Sequence, residues 1–168
     1  MKKVFNKINA TELEDNPFKL MNSDWMLITA GSINAFNTMT AAWGGLGVLW
    51  KKQIAFCFIR PTRHTYQFIE RSEYFTLTFY NEEHRDILNF CGNNSGRNTD
   101  KIKATGLIPL ESEHGAVYFE QARLVIECRK IYYDDIKPEN FLERKIHDVY
   151  PLKDYHRMYI GEITNCYI

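Results

Sequence analysis

The stretch of sequence that decides the fold is Asn37-Thr38-Met39-Thr40-Ala41-Ala42-Trp43-Gly44-Gly45. Strands selected only for packing favour β-branched and aromatic residues, whereas most side chains here are small or carry a hydroxyl. A flat ligand can lie against such a strand and meet its backbone amides and hydroxyls. The alternative is a hairpin arm in which the Gly-Gly pair forms a bulge under a packed tryptophan. Taken alone, the stretch favours that alternative.

Two later stretches indicate a ligand site. The first is Arg60-Pro61-Thr62-Arg63-His64-Thr65-Tyr66, which follows the apolar run 54–59 and places two guanidinium groups beside a rigid proline. The second is the polar loop Cys91-Gly92-Asn93-Asn94-Ser95-Gly96-Arg97-Asn98-Thr99-Asp100-Lys101. Backbone N–H groups, hydroxyls and cations are the groups that bind anions in proteins, so this loop suits an anion.

In this order and at these separations, the three segments resemble the flavin reductase-like family of FMN-binding split barrels, the flavoredoxin group. Residues 154–163 resemble the closing strand of that family, so the resemblance covers nearly the whole chain. It implies a mainly β fold, an FMN-binding split β-barrel of Greek-key type with a few short peripheral helices. It also implies one flavin reductase-like domain over residues 1–168 and a homodimer with flavin in the cleft between subunits.

FMN presents a phosphate dianion, a polyol chain and a flat tricyclic ring. Ser95, Gly96, Arg97 and Lys101 provide groups for the phosphate, and the resemblance adds Arg63 and Thr65. Backbone amides of residues 38–42 can meet the ring edge on which reduction places negative charge. The full set of predicted cofactor-binding residues is Asn37, Thr38, Met39, Thr40, Ala41, Ala42, Trp43, Arg60, Arg63, Thr65, Tyr66, Cys91, Ser95, Gly96, Arg97 and Lys101.

Four of these assignments have a stated alternative. Arg97 and Lys101 can be solvated surface charges, and Met39 and Trp43 can be core residues of a strand. His64 is interpreted as a surface residue at the start of a helix.

The resemblance favours an NAD(P)H-dependent flavin or ferric reductase that passes a hydride to flavin N5, with no catalytic side chain. Gly44-Gly45-Leu46-Gly47 does not match the G-x-G-x-x-G spacing, so NADH or NADPH would bind without a Rossmann domain. One alternative is a flavoredoxin-like carrier that holds FMN tightly and takes electrons from a redox partner protein. Another is a non-enzymatic barrel that binds oligonucleotides through exposed aromatic side chains.

Composition argues against several classes of protein. The 21 basic and 21 acidic side chains balance, so neither a nucleic acid nor an anionic membrane is an expected partner. No apolar run approaches the roughly 20 residues that cross a bilayer, and no signal peptide is evident, so we expect a soluble cytoplasmic protein. The four cysteines form no C-x-x-C pair and are expected to be reduced. The five histidines show no metal-ligand spacing.

The pattern of apolar and turn residues predicts the local elements. Strands are predicted at 25–30, 54–59, 74–80 and 156–163, and a hairpin is predicted from 116–119 and 122–133. The strand at 74–80 alternates bulky and hydroxyl side chains, which indicates one exposed face. Helices are predicted at 65–70, after an Asn81 cap with a stop at Gly92, and at 100–105 with a stop at Gly106. The number of strands favours a closed barrel.

Overall fold

The computed structural model describes residues 3–168, so the first two residues of the predicted domain lie outside it. The strands are β1 (Lys7–Ile8), β2 (Met26–Ser32), β3 (Ala35–Ala41), β4 (Gly44–Leu49), β5 (Lys52–Ile59), β6 (Tyr74–Phe79), β7 (Pro109–Glu111), β8 (Val117–Phe119), β9 (Leu124–Asp135) and β10 (Arg157–Tyr167). The α-helices are α1 (Pro17–Lys19), α2 (His64–Arg71), α3 (Arg85–Asn93) and α4 (Lys101–Thr105). Shorter helical turns are the π turn Leu20–Asp24 and the 3-10 turns Ala10–Glu12, Glu82–His84, Pro138–Asn140 and Arg144–Val149.

Eight strands form one antiparallel sheet. Its order is β3-β2-β6-β9-β10-β5-β4, with β1 paired to the end of β10, and β7 and β8 form a separate pair. Within residues 3–168, no backbone ladder joins β3 to β4, the two ends of that order. Closure by strand pairing was therefore the wrong expectation, although the mainly β prediction with few short helices is confirmed. The outer edge of β3 stays available to the helices and loops beside it.

Two hydrophobic clusters lie on opposite faces of the sheet. Ile28, Phe75 and Tyr159 are fully buried members of the larger cluster. Leu27 belongs to the other cluster, which also contains Leu88 of α3. Neighbouring residues of a strand point to opposite faces, so β2 is buried on both sides. This burial fixes the register of β2 against β3 and thereby fixes which side chains of β3 face solvent.

The strand at 74–80 is buried, so its predicted exposed face is wrong. Both of its threonines are fully buried and are satisfied inside the protein. The hydroxyl of Thr76 donates to the carbonyl of Val117 at 2.6 Å, and that of Thr78 pairs with the hydroxyl of Tyr80 at 2.8 Å. Hydroxyl side chains therefore stand at core positions because interior acceptors are present.

The predicted hairpin between 116–119 and 122–133 is also wrong. β8 pairs with β7, whereas β9 pairs with β6 and β10. A turn closed by the Ala122 amide on the Phe119 carbonyl redirects the chain, and the Arg123 amide then donates to the Phe79 carbonyl at the end of β6. A strand pattern alone does not say which strand is the partner.

The helix predicted after Asn81 begins differently from the prediction. It opens with a 3-10 turn, and the Asn81 side chain makes no capping hydrogen bond. Gly92 lies inside α3 rather than ending it, and a Cβ there would stand 3.3 Å from the Cβ of Thr40. Glycine at this position lets α3 approach β3 closely. The prediction for α4 is confirmed, because Asp100 accepts from the Lys103 amide and Gly106 ends the helix with φ of +70°.

Gly161 provides a test of how tightly the core is packed. A Cβ at Gly161 would stand 2.5 Å from the Cβ of Cys128 and 2.8 Å from Cζ of Phe75. We expect Gly161→Ala to lower the free energy of unfolding by about 1–3 kcal/mol, because added volume in a filled core forces its neighbours to move. Gly47→Ala in β4 is the matched control, since a Cβ there meets nothing within 4 Å. Urea denaturation measures both, and equal stabilities would contradict the packing described.

Candidate functional site

The side chains of β3 alternate between a face that lines cavities and a face whose hydroxyls bond inside the protein, although Thr40 also borders the smaller of these cavities. Asn37, Met39 and Ala41 line cavities on one face of the strand. The hydroxyl of Thr38 pairs with that of Thr29 at 2.9 Å, and the hydroxyl of Thr40 donates to the Leu88 carbonyl in α3. These threonine hydroxyls are thus already engaged within the protein. A ligand contact from Thr38 or Thr40 would come from other atoms of those residues.

A cavity of about 450 Å³ brings the three sequence segments together. It lies beside β3, at the start of α2 and under the loop that precedes α4. The residues that line it are Asn37, Met39, Arg60, Thr62, Arg63, His64, Thr65, Ser95, Gly96, Arg97, Lys101 and Asp154. We call it the cationic cavity, because four of these side chains are Lys or Arg and one is Asp.

Lys101 is the buried cation of the cationic cavity, with 6% of its surface exposed. Its Nζ donates to the Thr38 carbonyl at 2.7 Å and to the Cys91 carbonyl at 2.8 Å. Burial lowers the pKa of Lys101, and the neighbouring Arg63 charge acts in the same direction. An ammonium has three N–H donors, so one remains for a ligand. The surface-charge interpretation of Lys101 is therefore wrong.

The arginines of the cationic cavity differ in their charge balance. Arg60 is paired, because its Nη1 donates to both carboxylate oxygens of Asp154 at 2.9 and 3.0 Å. Arg63 and Arg97 are exposed, and their Nη1 atoms donate to the carbonyls of Gly92 and Thr62 at 3.2 and 3.0 Å. Across residues 3–168, no carboxylate forms an ion pair with Arg63, Arg97 or Lys101. Three uncompensated cations around one cavity select for an anion.

The loop at Ser95 and Gly96 lies directly against β3. A Cβ at Gly96 would stand 2.0 Å from Oδ1 of Asn37, so this close approach requires glycine. Asn37 is held in turn by its Nδ2, which donates to the hydroxyl of Thr65 at 2.7 Å. The Asn37 side chain of β3 therefore packs under the loop at Gly96 and hydrogen-bonds to the first turn of α2.

A second, smaller cavity of about 210 Å³ adjoins the cationic cavity and shares Met39, Arg60 and Arg63 with it. Its other lining residues are Thr40, Ala41, Ala42, Trp43, Phe58 and His156. Trp43 is 48% exposed and its ring centroid lies 4.9 Å from that of His156. We call this space the aromatic cavity, because aromatic rings and two alanines surround it.

His156 was missed as a site residue by sequence reasoning. Its ring is buried, and its Nδ1 lies 2.8 Å from the Tyr150 hydroxyl. Burial lowers the pKa of His156 from 6.5 to about 4, and the nearby Arg60 charge adds to this effect. A lone histidine before the closing strand gave no spacing signal. Phe58 and Asp154 were missed for the same reason, because only the folded chain brings them to the cavities.

Three of the predicted residues lie outside the cationic and aromatic cavities. Tyr66 packs toward the core, with its ring 6.4 Å from that of Tyr159 and with Arg157 over its face. Cys91 is 1% exposed, and burial raises the pKa of its thiol. Thr38 is buried to the same extent. Cys91 and Thr38 still support the site, since their carbonyls hold Lys101.

The largest cavity lies elsewhere. It measures about 560 Å³ and is bounded by the outward face of α2, the β2–β3 turn and residues 114–116. His64 is the only residue it shares with the two cavities above. Size alone would favour it as the ligand site, whereas the unpaired cations and the buried lysine favour the smaller cationic cavity.

Residues 3–168 contain neither a metal-binding cluster nor a membrane-spanning helix. No group of three or more His, Cys, Asp or Glu side chains in this part of the chain is arranged to hold a metal ion. Its four cysteines are all buried and unbridged. None of its helices combines the length and apolar character needed to span a membrane.

Fold and site together define a split antiparallel barrel with a cationic cavity beside an aromatic one. The chain belongs to the flavin reductase-like family, because the family model described as flavin reductase like domain matches residues 18–168. No curated protein matches the chain.

Solved structures support the same fold. An FMN-binding domain of a flavin reductases-like enzyme from Shewanella baltica OS155 is 17% identical with a TM-score of 0.71, over 99% of this chain and 78% of that one. Flavoredoxin from Methanosarcina acetivorans is 19% identical with a TM-score of 0.66, over 86% of this chain and 67% of the other. Flavoredoxin of Desulfovibrio vulgaris (Miyazaki F) is 24% identical with a TM-score of 0.65, over 84% of this chain and 67% of the other. The split-barrel prediction is confirmed.

The environment of His156 predicts a pH dependence of stability. Its folded pKa of about 4 lies below the ordinary 6.5, so the unfolded chain binds more protons between these values. The stabilisation is fully present above pH 6.5 and is lost as the pH falls toward 4, by roughly 3 kcal/mol at most. We expect His156→Gln to reduce this loss in urea denaturation. His147→Gln, at an exposed histidine of the same segment, is the control, and equal pH slopes for all three proteins would contradict the assignment.

Proposed function

We propose that this chain binds FMN, with the phosphate in the cationic cavity and the ring system in the aromatic cavity. The observation that carries the proposal is the state of Lys101. Its ammonium is buried, has one N–H left after its two carbonyl contacts, and has no carboxylate partner within the described residues. Burying a cation in this way is costly unless an anion completes its surroundings.

The donor set of the cationic cavity fits a phosphate monoester. The dianion of FMN would meet the Lys101 ammonium and the guanidinium groups of Arg63 and Arg97, each of which keeps N–H groups beyond its single protein contact. The hydroxyl of Ser95 and the amide of Gly96 add neutral donors, whereas the Arg97 amide already donates to the Ser95 hydroxyl. Arg60 is a weaker candidate for the phosphate because Asp154 already neutralises it.

The aromatic cavity fits a flat ring. Ala41 and Ala42 leave room beside the backbone, Phe58 and Trp43 offer apolar faces, and the buried His156 stays neutral at physiological pH because its pKa is about 4. Because β3 ends the sheet order, part of its backbone has no strand partner and can donate to a ligand. Fixed backbone dipoles at the ring edge favour the more negative, reduced form of a flavin.

The activity we propose is NAD(P)H-dependent flavin or ferric reduction. When bound, FMN supplies a ring that accepts a hydride at N5 from NADH or NADPH and gives electrons to an acceptor. The protein needs no nucleophile for this chemistry. Its residues bind the phosphate and orient the ring.

A second candidate is an electron carrier that keeps FMN bound and exchanges electrons with a redox partner protein. The enclosed Lys101 favours it, because a phosphate held by buried and surface cations together would dissociate slowly. Two of the similar structures are flavoredoxins, which agrees with either candidate.

The proposal extends to assembly and location. We propose that residues 1–168 act as one flavin-binding domain in a cytoplasmic homodimer. Trp43, Val48 and Trp50 are large apolar side chains that are about half exposed or more, and they lie on or beside β4, an end strand of the sheet. A second copy covering this region would shield them and deepen the aromatic cavity. Sedimentation of the purified protein tests the dimer, and a monomer at micromolar concentration would contradict it.

Replacing Lys101 tests the phosphate assignment. Lys101→Met keeps the buried aliphatic volume but removes the charged donor. We expect a loss of FMN affinity on the order of 30-fold, or about 2 kcal/mol for one charge-assisted hydrogen bond. Riboflavin lacks the phosphate, so its affinity should change little. The control is Lys103→Met on the exposed face of the same helix. Fluorescence titration measures the affinities of the parent and of both variants for FMN and riboflavin, and equal losses for the two ligands would place the phosphate elsewhere.

Nicotinamide turnover separates the two candidate functions. The reductase predicts steady oxidation of NADH or NADPH by the protein when FMN and an electron acceptor are supplied, followed at the absorbance of the reduced nicotinamide. It also predicts a lower rate for Lys101→Met at limiting FMN and restoration at high FMN. A protein that binds FMN but shows no oxidation above the rate of free FMN would be a carrier.

A further inference from the structure

His64 forms the wall between the cationic cavity and the largest cavity. It is the first residue of α2, and the same outward face of that helix carries Gln67, Phe68 and Arg71 into the largest cavity. The ring packs edge-on against Phe68, with centroids 5.1 Å apart. On its other side a Cβ at Gly96 would stand 3.2 Å from Cδ2 of His64, so the Cδ2 edge faces the loop over the cationic cavity.

The two ring nitrogens of His64 have different surroundings. Nδ1 is sealed from solvent and has no hydrogen-bond partner, which is true of no other buried side-chain nitrogen or oxygen in residues 3–168. Nε2 is bonded to Cδ2 and therefore lies on the edge that faces the Gly96 loop. Nε2 likewise has no hydrogen-bond partner among the described residues. Unlike Nδ1, however, it is accessible to solvent. It is the nitrogen that a ligand in the cationic cavity can contact.

These surroundings decide the protonation of the ring. A proton on Nδ1 would bury an N–H without an acceptor, whereas a proton on Nε2 can be donated into the cavity. The charged groups that face the ring are cations, Arg97 from the loop and Lys101 from α4, with Arg63 as its chain neighbour. Arg71, Glu73 and His114 line the largest cavity on the far side. Burial lowers the pKa of His64, and the charges of Arg97 and Lys101 lower it further.

We propose that His64 binds the flavin phosphate as a neutral imidazole that donates its Nε2–H to a phosphate oxygen, without taking up a proton. The inference rests on the proposed function and adds a residue to it that the sequence assigned to the surface. It also explains the orphan Nδ1, because that atom has to stay unprotonated for Nε2 to carry the proton. Three cations already supply the charge that a dianion needs, so a fourth one at His64 is unnecessary.

Three substitutions of His64 separate this role from a packing role. The amide nitrogen of His64→Gln reaches the position of Nε2, whereas that of His64→Asn reaches only the position of Nδ1. We expect FMN affinity to stay within about three-fold of the parent for His64→Gln and to fall by roughly 10-fold or more for His64→Asn and His64→Ala. Riboflavin affinity should be unchanged in all three variants. Fluorescence titration measures binding, and far-ultraviolet circular dichroism confirms folding.

A proton count tests the neutral state directly. Calorimetric titration of FMN near pH 7, in two buffers with different ionisation enthalpies, should show close to zero proton uptake. FMN affinity should rise between about pH 5.5 and 7 as the phosphate loses its second proton, and should not fall above the ordinary imidazole range. Uptake of about one proton per FMN, abolished in His64→Gln, would overturn the neutral donor.

The outcomes distinguish the inference from the proposed function. If the parent protein binds no FMN, the proposed function fails. If it binds FMN and His64→Ala binds FMN equally well, the inference fails and the proposed function stands. A loss that is equal for FMN and riboflavin, or equal for Gln and Asn, would show that His64 only supports the fold of the site.

Discussion

The interaction on which the site depends is the pair of hydrogen bonds from the buried Lys101 ammonium to the carbonyls of Thr38 and Cys91. One carbonyl lies in β3 and the other in α3, while Lys101 itself starts α4. The lysine thus ties three elements together around a cavity. Carbonyls stabilise a cation without neutralising it, so the positive charge remains available to a ligand. A carboxylate in place of either carbonyl as the partner of Lys101 would have neutralised this charge.

The open ends of the sheet make this arrangement possible. β3 has one strand neighbour, so its outer edge can receive a lysine and a helix where another barrel would place a strand. α3 and the loop approach β3 closely at Gly92 and Gly96, where a Cβ would stand 3.3 Å from the Cβ of Thr40 and 2.0 Å from Oδ1 of Asn37. The slender side chains of Ala41 and Ala42 then leave the aromatic cavity beside the same strand. The stretch 37–45 therefore packs against the protein on one face and lines the two cavities on the other.

Much of this could be predicted from the sequence because it is local or carried by motifs. The three segments were expected to meet, and they do, at Asn37, Arg63 and Lys101. The αL end of α4 at Gly106 follows from glycine alone. What failed depends on distant partners. The threonines of β6 were predicted to be exposed because they are polar. The Val117 carbonyl that accepts from buried Thr76 is far away in sequence, so the sequence does not reveal it.

The site was predicted less completely than the fold, for the same reason. The burial of Lys101 is invisible in a polar loop, since it depends on carbonyls of β3 and α3. His156 reaches the aromatic cavity from the end of the long segment that joins β9 to β10, and it belongs to no recognisable motif. Tyr66 sits in the correct motif but turns toward Tyr159 and the core, because helix α2 presents Thr65 rather than Tyr66 to the cationic cavity.

The central claim is that the cationic and aromatic cavities together hold FMN. The most direct test is the visible spectrum of the purified protein, with the released pigment identified by chromatography and with FMN titrated into any cofactor-free fraction. We expect the purified protein to be yellow. If it is cofactor-free, we expect its addition to shift the absorbance and quench the fluorescence of FMN at a one-to-one ratio. A colourless protein that leaves added FMN with its free-solution absorbance and fluorescence would contradict it.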